Sequence, residues 1–238
     1  MADITVLMSS SPIASHPSTA IIEETIASVR YHLPDEPIII MQDGVRLEQE
    51  VRRADYAQYL TAIQRFADSA HEIQVKVFGE FLHQARMTID TLKGVNTPFM
   101  LFVEHDTPLV DKPIDWAVLK QSLASGITNH IRLHYWEQIH PEHEYLMRGR
   151  LSPNLLKCIQ WHQRPHLANT RWYENVLNRH FQQGSRTFIE DKIYGPVTCA
   201  PWEDYRLTVY DPNGDGKSMQ RSRDLNGRSG ETKYDMKF

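Results

Sequence analysis

A chain of 238 residues, 41% hydrophobic and 10% aromatic, holds enough apolar surface for one substantial core and too little length for a barrel of eight strand–helix units. Its 26 Lys and Arg against 30 Asp and Glu give a formal charge of -4, which supplies no electrostatic reason to expect nucleic acid or an anionic membrane as the main partner. Two cysteines, Cys158 and Cys199, exclude a disulfide scaffold and suit a reducing compartment. No basic stretch precedes the short apolar run at the N-terminus, and no segment approaches the ~20 apolar residues of a membrane helix, so a cytoplasmic protein without a transmembrane segment is expected.

In chain order, "ITVLM" (Ile4–Met8) is a short β-rich apolar run closed by Ser9, Ser10, Ser11 and Pro12, which predicts a buried strand and a loop. The segment 18–33 then places Ile22, Ile26, Val29 and Leu33 on one helical face, with Glu23 and Glu24 near its start, where the helix dipole favours acids. "PIIIMQDG" predicts a second strand ending at Asp43-Gly44, and residues 46–70 a long helix. "EIQVKVF" alternates as a third strand, residues 81–95 form a helix stopped at Gly94, and "PFMLFV" is a fourth strand. Strands alternating with helices indicate a doubly wound, mostly parallel α/β sheet with helices on both faces.

Beyond Val110 the rhythm changes. A helix is expected over 115–126, strands with a polar, aromatic lining over 130–150 and 154–168, and a helix over 170–184. From Asp211 the sequence is rich in Gly, Asp, Asn and Arg with almost no apolar content, which predicts a flexible C-terminal tail, 211–238. The expected organisation is a single catalytic domain over 1–210, with a ligand-binding half, 1–110, and a second half, 111–210.

All strands of an open parallel sheet point their C-terminal ends at one edge, where ligands bind. That edge gathers Ser9 to Pro12, Asp43-Gly44 and Glu104-His105-Asp106. Two carboxylates spaced i and i+2 at a strand end can point the same way, and such oxygen ligands suit Mg²⁺ or Mn²⁺. The competing reading makes Glu104 and Asp106 ordinary loop acids, with Asp106 capping the turn at Thr107-Pro108. No Gly-x-Gly-x-x-Gly follows the first strand and no phosphate-cradling Gly-x-x-x-x-Gly-Lys-Ser/Thr is present. "GDGKS" (214–218) and "DPNGDG" (211–216) imitate a phosphate loop and a calcium loop, but Asp211 stands in place of the former's first glycine, and Ser222 in place of the latter's Glu; both read as turn composition. His134, His140, His143, His162 and His166 lack the tight, regular spacing of a zinc site.

The runs "SSSPIASHPSTAIIEETIASVR" (Ser9–Arg30), "IIIMQDGVR" (Ile38–Arg46) and "PFMLFVEHD" (Pro98–Asp106), followed by "FIEDKIYGP" (Phe188–Pro196), resemble the nucleotide-sugar-dependent glycosyltransferases of the GT-A fold, the inverting family 2 type in particular. The resemblance spans roughly the first half of the chain in order, plus the acidic segment near residue 190. It implies a Rossmann-like GT-A domain that moves a sugar from a nucleotide-diphosphate sugar donor to a carbohydrate or glycan acceptor. Ser9, Ser10, Ser11, Pro12 and Asp43 would hold the nucleoside, and Glu104-His105-Asp106 would be the metal and diphosphate motif. Glu104 departs from the usual first Asp, which makes Asp106 the favoured direct ligand of Mn²⁺ or Mg²⁺.

The same resemblance assigns Asp191 as general base, with Glu190 in support. Read from the residues alone, both are acids in a first helical turn, stabilised there by the dipole whether or not they act on anything. Trp161, His162, Arg164, His166, Arg171, Trp172 and Tyr173 form a cluster suited to stacking on sugar faces, or else a core of Trp161 and Trp172 with surface arginines. Lys217, Arg221, Arg223 and Arg228 suit a loop closing over a diphosphate, or a plain disordered terminus. A nucleotide-sugar or carbohydrate binding module without turnover and a sugar nucleotidyltransferase are the alternatives. The latter is disfavoured by the missing glycine-rich segment after the first strand.

Overall fold

The computed structural model describes residues 2–109, 112–133, 141–182 and 184–212. Nine strands form one sheet: β1 (Ile4–Ser10), β2 (Ile38–Gln42), β3 (Ile73–Val77), β4 (Phe99–Glu104), β5 (His130–Leu133), β6 (Met147–Ser152), β7 (Leu155–Cys158), β8 (His166–Asn169) and β9 (Leu207–Tyr210). Their order is β3-β2-β1-β4-β8-β5-β9-β7-β6. The pairings make β7 and β8 run against the other seven, so the sheet is mostly parallel.

Seven helices cover the sheet: α1 (Ala20–His32), α2 (Arg53–Ser69), α3 (His83–Leu92), α4 (Trp116–Ala124), α5 (Thr170–His180), α6 (Ile189–Cys199) and α7 (Trp202–Tyr205). Strand alternation divides the core between the faces. Ile4, Val6 and Met8 of β1 pack with Ile22, Ile26, Val29, Tyr59, Ile63 and Leu119 of α1, α2 and α4. Leu7, Met100 and Phe102 face the other way, toward Ala85, Ile89, Tyr173, Leu177, Ile193 and Tyr205 of α3, α5, α6 and α7. Helices on both faces are what the alternating first half implies.

Elements of the first half lie within a few residues of their expected positions, except that the long helix after β2 divides. Residues Leu47–Arg52 form a 3₁₀ turn with Gln49 outside helical geometry, and α2 begins only at Arg53. In the second half the expected strands shorten. Residues 130–150 hold β5, a 3₁₀ turn at Pro141–Leu146 and the start of β6, whereas 154–168 hold β7, a loop and the start of β8. Strand β9, four buried residues between β5 and β7, was not among the expected elements. Lys217, Arg221, Arg223, Arg228, His134 and His140 lie outside the described residues. Among those described, no helix is long and apolar enough to cross a membrane.

Candidate functional site

Three strand ends meet at the carboxyl edge. Ser9 is paired with Glu104 on one side and Met41 on the other, and the backbone ladder continues past the strands through His105 N to Ser9 O (3.0 Å) and Asp43 N to Ser10 O (3.1 Å). The loop after β1 is held by His16, which stacks on Tyr59 with ring centroids 3.9 Å apart and accepts from the Ile13 amide through Nδ1 (3.3 Å). Tyr56 of α2 donates to the Asp43 carbonyl at 2.8 Å, fixing the second strand end against the same helix.

These ends open on a crevice of about 820 Å³, counting its mouth, lined by Ser9, Ser10, Ser11, Asp43, Glu104, His105 and Asp106 from the expected set. Arg46, Gln49, His83, Gln84 and Phe188 complete its wall, and the sequence reading did not single them out. Arg46 lies over the Phe81 ring at 4.7 Å and brings a positive charge to the wall. "DGVR" carried a signal for it, since a cation four residues beyond Ser10's partner Gln42 stands at the same edge.

Asp106 is 2% exposed, and its Oδ2 has no hydrogen-bond partner among the described residues. The turn is closed instead by Thr107, whose hydroxyl accepts from Glu104 N and donates to Glu104 O, both at 3.1 Å. The turn-capping alternative for Asp106 therefore does not describe the structure. A buried carboxylate oxygen without a donor is unfavourable, and a divalent cation would satisfy it. The residues present fit a Mg²⁺ or Mn²⁺ ion, with Asp106 and Glu104 offering oxygens and a ligand supplying others. Among the described residues, no group of three or more His, Cys, Asp and Glu side chains could hold a metal unaided.

Asp43 is differently engaged. Its Oδ1 accepts from Gly44 N (2.9 Å) and Leu82 N (2.8 Å), and its Oδ2 from His83 N (3.0 Å). Burial raises its pKa, and these three amides oppose the rise. The carboxylate expected to read a nucleoside lines the crevice and also clamps the start of α3. Gly44 is required beside it, because a Cβ there would lie 2.3 Å from the Glu80 carbonyl carbon.

The second acidic pair lies in the first turn of α6, just after Phe188 of the crevice wall. Glu190 Oε2 accepts from Gln163 N at 3.2 Å and lies 3.7 Å from His162 Nδ1. Burial raises the Glu190 pKa against the pull of the Gln163 amide, Arg132 and Arg164. Asp191 is exposed in the first turn of α6, and its charge reaches His83, which lies against the Phe188 ring with centroids 4.4 Å apart. Burial lowers the His83 pKa to about 4.

The cluster expected on the acceptor side keeps its aromatic rings together, mostly inside the core, and parts from its polar members. Trp161 and His166 are fully buried and so form no sugar-facing surface. His166 stacks between Phe102 and His130 and bonds the Tyr173 hydroxyl through Nε2 at 3.1 Å, while Trp161 packs on Tyr173. Trp172 is half-buried against Trp161, and Arg171 is an exposed partner of Glu174. His162 and Arg164 alone of the named acceptor set combine partial exposure with proximity to Glu190. Composition cannot separate a stacking platform from a core, because both require the same residue types.

No family model matches the sequence, and no curated protein matches it. Solved structures do resemble it. TarS 1–349 of S. aureus in complex with UDP-GlcNAc superposes with a TM-score of 0.56 at 11% identity, over 88% of this chain and 56% of that one. The mannosyltransferase PcManGT from Pyrobaculum calidifontis, in complex with GDP-Man and Mn²⁺, gives 0.50 at 12% identity over 73% of this chain and 46% of its own. The chain has the GT-A glycosyltransferase fold. HddC from Yersinia pseudotuberculosis gives 0.55 at 9% identity, over 98% of this chain and 97% of that one. The GT-A domain described here spans little more than half the length of the TarS fragment.

Proposed function

We propose that the chain moves a sugar from a nucleotide-diphosphate sugar to a hydroxyl of a carbohydrate or glycan acceptor, with inversion at the anomeric carbon. The observation that carries this reading is the buried, unpartnered Oδ2 of Asp106 at the edge where the first, second and fourth strands end. The GT-A fold, and the nucleotide sugars and Mn²⁺ bound by similar structures, support it.

Asp106, with Glu104 beside it, would hold the Mn²⁺ or Mg²⁺, whose chemistry is to neutralise charge on a departing diphosphate. Ser9, Ser10 and Ser11, which line the crevice, and Pro12 next to them would hold the nucleoside, with Arg46 as a further cation. The exposed Asp191 carboxylate takes the proton of the acceptor hydroxyl while that oxygen bonds to the anomeric carbon and the bond to the diphosphate oxygen breaks. Glu190, held by the Gln163 amide, supports the start of α6 and faces the acceptor with His162 and Arg164.

The experiment is a melting-temperature screen of nucleoside diphosphates with and without Mn²⁺, followed by a transfer assay with the matching sugar donors. Stabilisation that requires both nucleotide and metal is expected. No stabilisation by any nucleotide would overturn the reading, and binding without transfer to any acceptor would reduce the protein to a binding module.

A further inference from the structure

Helix α6 begins without a cap of its own. Phe188 occupies the N-cap position and its side chain makes no capping hydrogen bond, so the first amides of the helix need acceptors from elsewhere. One comes from another helix: Gln84 Oε1 of α3 accepts from Ile189 N at 3.3 Å. The other end of the same amide donates from Nε2 to Glu104 Oε1 at 2.9 Å. Each partner dictates the amide's orientation, since a backbone N–H can only donate and a carboxylate only accept.

Gln84 is itself 5% exposed and held from below. Asp43 grips the Leu82 and His83 amides, and His83 takes a left-handed backbone, φ +66°, as the chain turns into α3. That turn delivers Gln84 to the gap between β4 and α6. Three crevice elements, the end of β2, the end of β4 and the start of α6, are therefore linked through four hydrogen bonds made by the consecutive residues Leu82, His83 and Gln84.

We propose that Gln84 is a positioning residue, whose amide ties the Glu104 carboxylate at the metal and diphosphate motif to the first backbone amide of the helix bearing Glu190 and Asp191. The role rests on the donor reading of the crevice given above. It sets the separation between the two acidic pairs and fixes one oxygen of the Glu104 carboxylate in the crevice that Asp106 also lines.

Three variants separate this role from packing. Gln84→Glu keeps the side chain's length and an acceptor for Ile189 N, but places a carboxylate where Glu104 needs a donor. Gln84→Met keeps the volume and removes both bonds. The exchange Gln84→Glu with Glu104→Gln restores one donor and one acceptor in reversed order.

Melting temperature is measured on each metal-free protein, and affinity for UDP and GDP with Mn²⁺ by calorimetry. Both single variants at Gln84 are expected to melt lower than the wild type, and the exchange is expected to recover most of the Gln84→Glu loss. Loss of a bond to a charged group corresponds to roughly a tenfold to hundredfold change, so nucleotide affinity in Gln84→Glu should fall by at least roughly tenfold. An exchange variant that melts no higher than Gln84→Glu, or unchanged affinity in Gln84→Glu, would overturn the positioning role while leaving the donor reading intact. A wild-type protein that binds no nucleoside diphosphate with Mn²⁺ would overturn the donor reading and the positioning role together.

Discussion

A carboxylate oxygen that is buried and unpaired beside a cavity, as Oδ2 of Asp106 is, lowers stability until something neutralises it. Asp106→Asn removes that charge at almost constant shape. The metal-free variant should melt no lower than the wild type, while Mn²⁺-dependent binding of a nucleoside diphosphate should be lost. A variant that melts lower and still binds would mean that the oxygen is satisfied within the protein. Asp191 calls for the complementary test, because it is exposed and its replacement should leave folding almost untouched. With Asp191→Asn the transfer rate should drop by about 10²-fold or more, the usual worth of general-base help, at unchanged donor affinity. Wild-type transfer would move the role to another group, with the half-buried Glu190 and its raised pKa the first to examine.

Among the elements, the first four strands and their helices were legible because β1, β2 and β4 are continuous apolar runs, as buried parallel strands must be, β3 alternates as an edge strand does, and each helix shows a 3.6-residue stripe. Strand β9 was not, because "LTVY" is four residues long and stands between a one-turn helix and a polar tail. That Ser9, Asp43, Glu104 and Asp106 share one crevice was readable from strand ends alone. The link from Asp43 to Gln84 to Ile189 was not, since it joins residues 40 and 105 positions apart through backbone amides that carry no sequence signal. Gly44 shows how tightly that wall is built. Gly44→Ala would drive a methyl into the Glu80 backbone, at a cost of about 1–3 kcal/mol, measurable by chemical denaturation. Unchanged stability would mean that the loop at 79–82 yields freely.

At the scale of the whole molecule, four buried imidazoles set the response to acid. Burial holds His16 at about 3 and His83 and His166 at about 4, and places His130, stacked on His166, well below its ordinary 6.5. The unfolded chain binds protons below about 6.5 that the folded chain refuses, so their contribution is fully present above that pH and is lost as pH falls toward 4. Each imidazole contributes a slope of up to about 1.4 kcal/mol per pH unit in that window. Melting temperature should therefore decline steadily from pH 6.5 to 4. A flat profile would show that these rings are reached by water.

The order of the strands also sets the order in which the molecule can be finished. Strands β3, β2, β1 and β4 are contiguous in sequence and meet the later strands at a single seam, β4 against β8. During synthesis from the N-terminus, Ser9, Asp43, Glu104 and Asp106 are all present before any residue of β8 has been made. Ile189 arrives 105 residues after Gln84, so the amide that joins the two acidic pairs has one hand empty until nearly the last of the sheet is in place. The nascent chain thus acquires its crevice carboxylates early, and the contact that brings them into register with the acids of α6 is a late, long-range closure.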